Sequence, residues 1–170
     1  MKIGVSSYSF SQYIKSGKLT QLTAVAKAKE LGFDAIEFTE LMPPEGVSQA
    51  EYAKQIKAEA NKCSIEISAY LVGANLAQKD NSAEIERLKA SLDVANALGA
   101  KLFRHDVMYG YDVFRSFDQA LPTLVAGGNG ICPNVGHSNN DGKPRLYLSG
   151  QRPRGAAGER CQSSQLWNAC

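Results

Sequence analysis

A chain of 170 residues, 44% hydrophobic and 21% charged, is long enough for one domain with a sizeable core and has the composition of an ordinary globular protein. No apolar run approaches the roughly 18 residues of a membrane-spanning helix, and the opening M-K-I-G-V-S-S-Y-S-F meets serines too early for a signal peptide, so a cytoplasmic protein is expected. The formal charge of +2 is unevenly held: residues 1 to 128 carry 14 Lys and Arg against 15 Asp and Glu, residues 129 to 170 carry 5 against 2, and a neutral body argues against a nucleic-acid partner.

Ile3 to Ser7 reads as a short buried strand. After a polar loop, Leu19, Leu22, Val25, Ala26 and Leu31 fall on one helical face, with Gly32 where a C-cap belongs. Ala35 to Thr39 is the next strand, followed by a Pro43-Pro44 loop and by Ser48 with Glu51 three residues on, a capping-box pattern opening a helix to about Asn61. Ile65 to Val72 is the third strand. Ser82 to Leu98 then places Ile85, Leu88, Leu92, Ala95 and Leu98 on one stripe before Gly99. Lys101 to Val107 is the fourth strand, and Phe117 to Ala126 an incipient helix.

Strand starts near 3, 35, 65 and 101 give a strict βαβα alternation, which implies a parallel sheet with right-handed crossovers. That is the rhythm of a (β/α)8 barrel and equally of a doubly wound sheet. No G-x-G-x-x-G follows the first strand, so dinucleotide binding has no support. A full barrel takes about 250 residues, so four units make a partial TIM barrel, an N-terminal half over residues 1–126, with an irregular segment from 127 to 170.

M-K-I-G-V-S-S-Y-S-F, L-G-F-D-A-I-E-F and A-L-G-A-K-L-F-R-H-D-V resemble the first half of xylose isomerase-like TIM-barrel proteins, the sugar phosphate isomerase/epimerase group. The resemblance implies a small sugar or sugar-phosphate substrate. It also implies a divalent metal, Mn²⁺, Mg²⁺ or Co²⁺, held by carboxylates and a histidine on later strands, and proton transfer beside a carbonyl. Gly142, Lys143 and Pro144 stand where the first ligand strand of the group would lie, so no metal ligand and no cofactor are expected in this chain.

From Gly127-Gly128-Asn129-Gly130 the helical pattern stops. With permitted codons, Asn129 to Asp141 read one base later as Met-Gly-Tyr-Ala-Gln-Met-Leu-Gly-Ile-Arg-Thr-Met, which restores the A-x-x-L-G helix end found at 28 to 32 and 95 to 99, and the next codons give Thr-Glu-Asn-His-Gly. The tail is therefore expected to derive from a shifted frame, and the chain to be a truncated, inactive member of its group. The rival readings are an active relative with dehydratase or endonuclease chemistry, and a non-enzymatic half-barrel whose genuine basic tail, with Lys143, Arg145, Arg152, Arg154 and Arg160, recruits an acidic partner. Open sheet edges would favour self-association. Cys63, Cys132, Cys161 and Cys170 form no C-x-x-C pair and read as free thiols, and His137 alone is no metal site.

Barrel active sites open at the carboxyl ends of the strands. Candidate substrate-binding residues there are Tyr8, Glu37, Arg104, His105 and Asp106, with Ser7, Glu40 and Tyr70 beside them. Glu37 either meets substrate or forms an ion pair; His105 is either an acid/base group or a structural residue; Arg104 and Asp106 either face substrate or pair with each other. Tyr8, Tyr70 and Tyr109 either wall a pocket or pack in the core.

Overall fold

Five strands hydrogen-bond in chain order, all parallel: β1 (Gly4–Ser6), β2 (Ala35–Phe38), β3 (Glu66–Val72), β4 (Leu102–Asp106) and β5 (Arg145–Ser149). The computed structural model describes residues 1–108, 116–131 and 145–149, the last stretch by its backbone. Between the strands run α1 (Ser11–Lys15), α2 (Gln21–Glu30), α3 (Gln49–Cys63), α4 (Ser82–Leu98) and α5 (Phe117–Ile131). Tyr109, His137, Lys143, Trp167 and the cysteines at 132, 161 and 170 lie outside the described residues; Cys63 is a half-buried free thiol.

Helix boundaries follow local chemistry. Thr20 caps α2 by accepting from the Thr23 amide while the Thr23 hydroxyl accepts from the Thr20 amide, a reciprocal box that the sequence pattern does not advertise. Ser48 caps α3 through the Glu51 amide at 3.2 Å. The far end of α3 turns at Ser64, a left-handed residue with φ 53° and ψ 45°, and α4 ends the same way at Gly99 with φ 73°. At Gly99 a side chain would also meet Lys57, whose Cε would lie 2.9 Å from an added Cβ.

One face of the sheet turns to the helices, and on the other Ala35 and Ala69 are nonetheless buried. Ile36, Phe38, Ile67, Tyr70, Phe103 and His105 point to the helices and are buried, joining Val25, Ala28, Tyr52, Ile56, Leu88 and Leu98 in one core, the histidine excepted as a polar member. Register puts Ala35, Glu37, Ala69, Leu71, Leu102, Arg104 and Asp106 on the opposite, lumenal face, and none of the apolar ones among them packs into that core. The two faces stay in step because β3 carries one extra residue: Ile36 pairs with Ile67 but Glu37 with Ala69, and the bypassed Ser68 donates its hydroxyl to the Ile36 carbonyl at 3.3 Å.

At the amino ends of the strands, Glu66 receives Lys2 and Lys101, both at 2.8 Å, tying the roots of β1, β3 and β4. Hydrogen bonds from Lys101 and then Lys2 hold its carboxyl below the usual range.

The structure departs from the sequence reading in three places. Ser11–Lys15 forms a short helix, preceded by a 3-10 turn at Ser7–Phe10, where a polar loop is expected. α5 continues through Gly127 to Gly130 and ends at Ile131, because these glycines serve close packing: a Cβ at Gly127 would lie 3.2 Å from Leu76, and one at Gly130 only 2.8 Å from Ile85. A fifth strand pairs with β4 inside the stretch expected to be irregular, with Leu146 opposite Phe103 and Leu148 opposite His105. Among the described residues no helix is long and apolar enough to cross a membrane.

Candidate functional site

The carboxyl ends of β1 and β2 are joined at Ser7, a buried residue whose hydroxyl accepts from the Thr39 amide at 3.1 Å and lies 3.4 Å from the Thr39 hydroxyl. Buried Gln21, in the first turn of α2, grips the next residues from both sides of its amide. Its Nε2 donates to the Glu40 carbonyl at 3.1 Å and its Oε1 accepts from the Met42 amide at 2.7 Å. Gln49 donates to the intervening Leu41 carbonyl at 3.0 Å. The mouth above β2 is thereby fixed by side chains from two helices.

Beside it, Tyr70 is buried with its phenol pushed above its ordinary value by desolvation, which a hydrogen bond with the Leu41 backbone partly offsets. Glu84 and Arg87, in the first two turns of α4, close the end of β3: the Glu84 carboxylate accepts from the Asn75 amide and the Arg87 guanidinium, and Arg87 also donates to the Gly73 carbonyl. The Arg87 hydrogen bonds hold the Glu84 carboxyl below the usual range. Glu40 lies 3.9 Å from Arg87 across the mouth.

His105 is fully buried between β4 and the helices, tilted against Phe103 with ring centroids 6.0 Å apart. Its Nδ1 lies 2.6 Å from the Asp106 carbonyl. A carbonyl only accepts, so Nδ1 carries the proton. Burial lowers the ring's pKa below its ordinary value, the Asp106 backbone and the Asp106 and Glu84 charges opposing.

The candidate residues therefore divide. Glu37, Arg104 and Asp106 share the lumenal face, His105 belongs to the helix-facing side, and Tyr8 stands outside both at 72% exposure in the turn after β1. Arg104 and Asp106 project in the same direction two residues apart without an ion pair between them, and Glu37 forms none among the described residues. Gln21, Glu84 and Arg87 escaped the sequence reading. Each is a polar residue within the first two turns of a helix that follows a strand end, a placement legible from element boundaries alone.

This geometry defines an open parallel β/α layer with its polar groups gathered at the carboxyl ends of the strands, a partial TIM barrel. The chain belongs to the xylose isomerase-like TIM barrel family, whose model matches residues 25–140. Among solved structures it is similar to a xylose isomerase domain protein from Planctomyces limnophilus, with 11% identity and a TM-score of 0.49 over 74% of this chain and 46% of that one. The chain thus spans about half the length of that structure. No curated protein matches it.

For the divalent metal expected in such barrels, the test is whether acid and imidazole groups converge. Among the described residues no three His, Cys, Asp or Glu side chains do so, and the histidine of β4 faces away from the lumen. The described residues do not by themselves fit a metal centre.

Proposed function

We propose that this chain supplies the N-terminal half of a sugar or sugar-phosphate isomerase/epimerase barrel, and that it is inactive by itself. The observation that carries the reading is the lumenal face. Glu37, Arg104 and Asp106 line the carboxyl-end half of a parallel sheet, where barrel chemistry is performed, yet among the described residues no ligand set converges there. In this reading Arg104 meets anionic or hydroxyl groups of a substrate, Glu37 and Asp106 accept hydrogen bonds from its hydroxyls, and the proton-transfer groups come from further strands. His105 acts from behind, fixing the end of β4 rather than moving a proton.

The test is an isomerase and epimerase assay of the purified chain against a panel of aldose and ketose phosphates, with Mn²⁺, Mg²⁺ or Co²⁺ added. No turnover is expected; turnover that is lost in the Glu37→Gln variant would reject inactivity and keep the site. The shifted reading frame belongs to the same proposal. It is supported by the restored A-x-x-L-G pattern. Sequencing the gene across the codons for Leu124 to Asn140 tests it: a gained or lost base is expected, and an unaltered frame removes that part.

A further inference from the structure

We propose that Glu40 and Arg87, facing each other across the rim above β2 and β3, form a subsite for the neutral hydroxyl groups of a sugar. Both side chains stand on fixed supports. Glu40 follows β2 on a stretch whose backbone is held by Ser7 at Thr39, by buried Gln21 at Glu40 and Met42, and by Gln49 at Leu41. Arg87 commits Nε and Nη2 to the Glu84 carboxylate, and Nη2 also to the Gly73 carbonyl. Its Nη1 lies 3.9 Å from the Glu40 carboxylate, too far for a direct hydrogen bond. The guanidinium cannot advance to close that gap without giving up the fork to Glu84. The Glu40 side chain is 66% exposed and its carboxylate accepts no hydrogen bond from the described residues.

The gap selects its ligand by chemistry. A hydroxyl both donates and accepts, so one sugar oxygen fits about 2.7 Å from the carboxylate and about 2.9 Å from the guanidinium and joins the two. Charge disfavours the alternatives. Arg87 matches Glu84 within the fork, which leaves Glu40 as the excess charge of the cluster, so a phosphate or carboxylate brought to the rim is repelled by it. An ammonium group would in turn have to sit against Arg87. A neutral polyol meets neither penalty. That the polyol is a sugar rests on the function proposed above, and the subsite narrows that reading: the end of the substrate lying over β2 and β3 bears hydroxyls, and any phosphate lies elsewhere. Glu40 and Arg87 thereby add a contact set at the rim to the lumenal group of Glu37, Arg104 and Asp106.

Nuclear magnetic resonance of the full, isotope-labelled chain tests it, with D-fructose as the neutral probe and the Met42 amide and the Arg87 Nε–H as reporters. Both signals are expected to shift and saturate as the sugar is added, and inorganic phosphate is expected neither to move them nor to displace the sugar. Glu40→Gln changes an exposed side chain whose removal disturbs no hydrogen bond, and it is expected to weaken binding at least about tenfold, the worth of a hydrogen bond to a charged acceptor. Reporters that stay still, an affinity unchanged in Glu40→Gln, or displacement of the sugar by phosphate would each overturn the subsite. Shifts confined to the amides of Glu37 and Arg104 would overturn it too, while leaving the proposed function standing. Failure of that function shows separately, as turnover in the isomerase and epimerase assay.

Discussion

Arg87 meets Glu84 through two parallel hydrogen bonds, Nε to Oε2 and Nη2 to Oε1, each 2.9 Å long. The fork geometry matches carboxylate to guanidinium, and Nη2 also reaches the Gly73 carbonyl, so one side chain fastens the start of α4 to the end of β3. Lysine keeps the charge and loses the fork. Because Arg87 is partly exposed, Arg87→Lys is expected to cost about 1–2 kcal/mol, read from the urea midpoint, and an unchanged midpoint would show the fork to be idle.

Acidification should expose the cost of charging His105. Its folded pKa is depressed by burial, so the unfolded chain takes up the proton first, near the ordinary value of 6.5. The contribution is therefore fully present above that pH and is lost as pH falls below it. Glu66 and Glu84, whose folded pKa values lie below their ordinary 4.5, lose their contributions only in more acidic solution. Melting temperature is thus expected to fall between about pH 6.5 and about pH 5, and the slope to flatten in His105→Gln. An equal slope in the variant would assign the effect elsewhere.

The two left-handed helix ends predict opposite responses. Ser64 adopts φ 53° with a side chain that disfavours it, so Ser64→Gly is expected to stabilise by about 0.5 kcal/mol or more. Gly99→Ala meets both the backbone restriction and the Lys57 side chain and is expected to destabilise by at least about 1 kcal/mol. Thermal denaturation of the pair settles the signs.

Gln21→Leu keeps the volume and removes both bonds to the chain at Glu40 and Met42. It strands two backbone groups and is expected to cost about 1–3 kcal/mol. Faster hydrogen exchange at the Met42 amide, with the core of α3 unchanged, is the local signature. Uniform exchange would make the residue a global core element instead.

The four leading strands and the extent of α4 were readable because alternating burial and caps such as Gly99 act over a few residues. Ser64 was not, since nothing in its neighbourhood substitutes for glycine and only the packing of α3 against β3 imposes the turn. Gly127 to Gly130 misled for the opposite reason: glycine breaks an isolated helix, yet here Leu76 and Ile85 approach the backbone and reward its small size. At the site, Glu37 could be placed on its face by counting from Ile36, because a strand alternates strictly. His105 lies on the opposite face from its neighbours Arg104 and Asp106, and no sequence rule says which face of β4 turns toward the helices. Burial of Phe103 decides it.

Gln21 and Gln49 secure the chain at Glu40, Leu41 and Met42. The residues that follow are joined to themselves by the Val47 amide on the Pro44 carbonyl at 3.1 Å. Anchorage and variable span are thereby separated, which makes 43–47 a grafting position. A longer segment spliced between Met42 and Ser48 would begin and end on fixed points above the strand ends, so new recognition surfaces could be installed over the mouth without re-engineering the layer beneath.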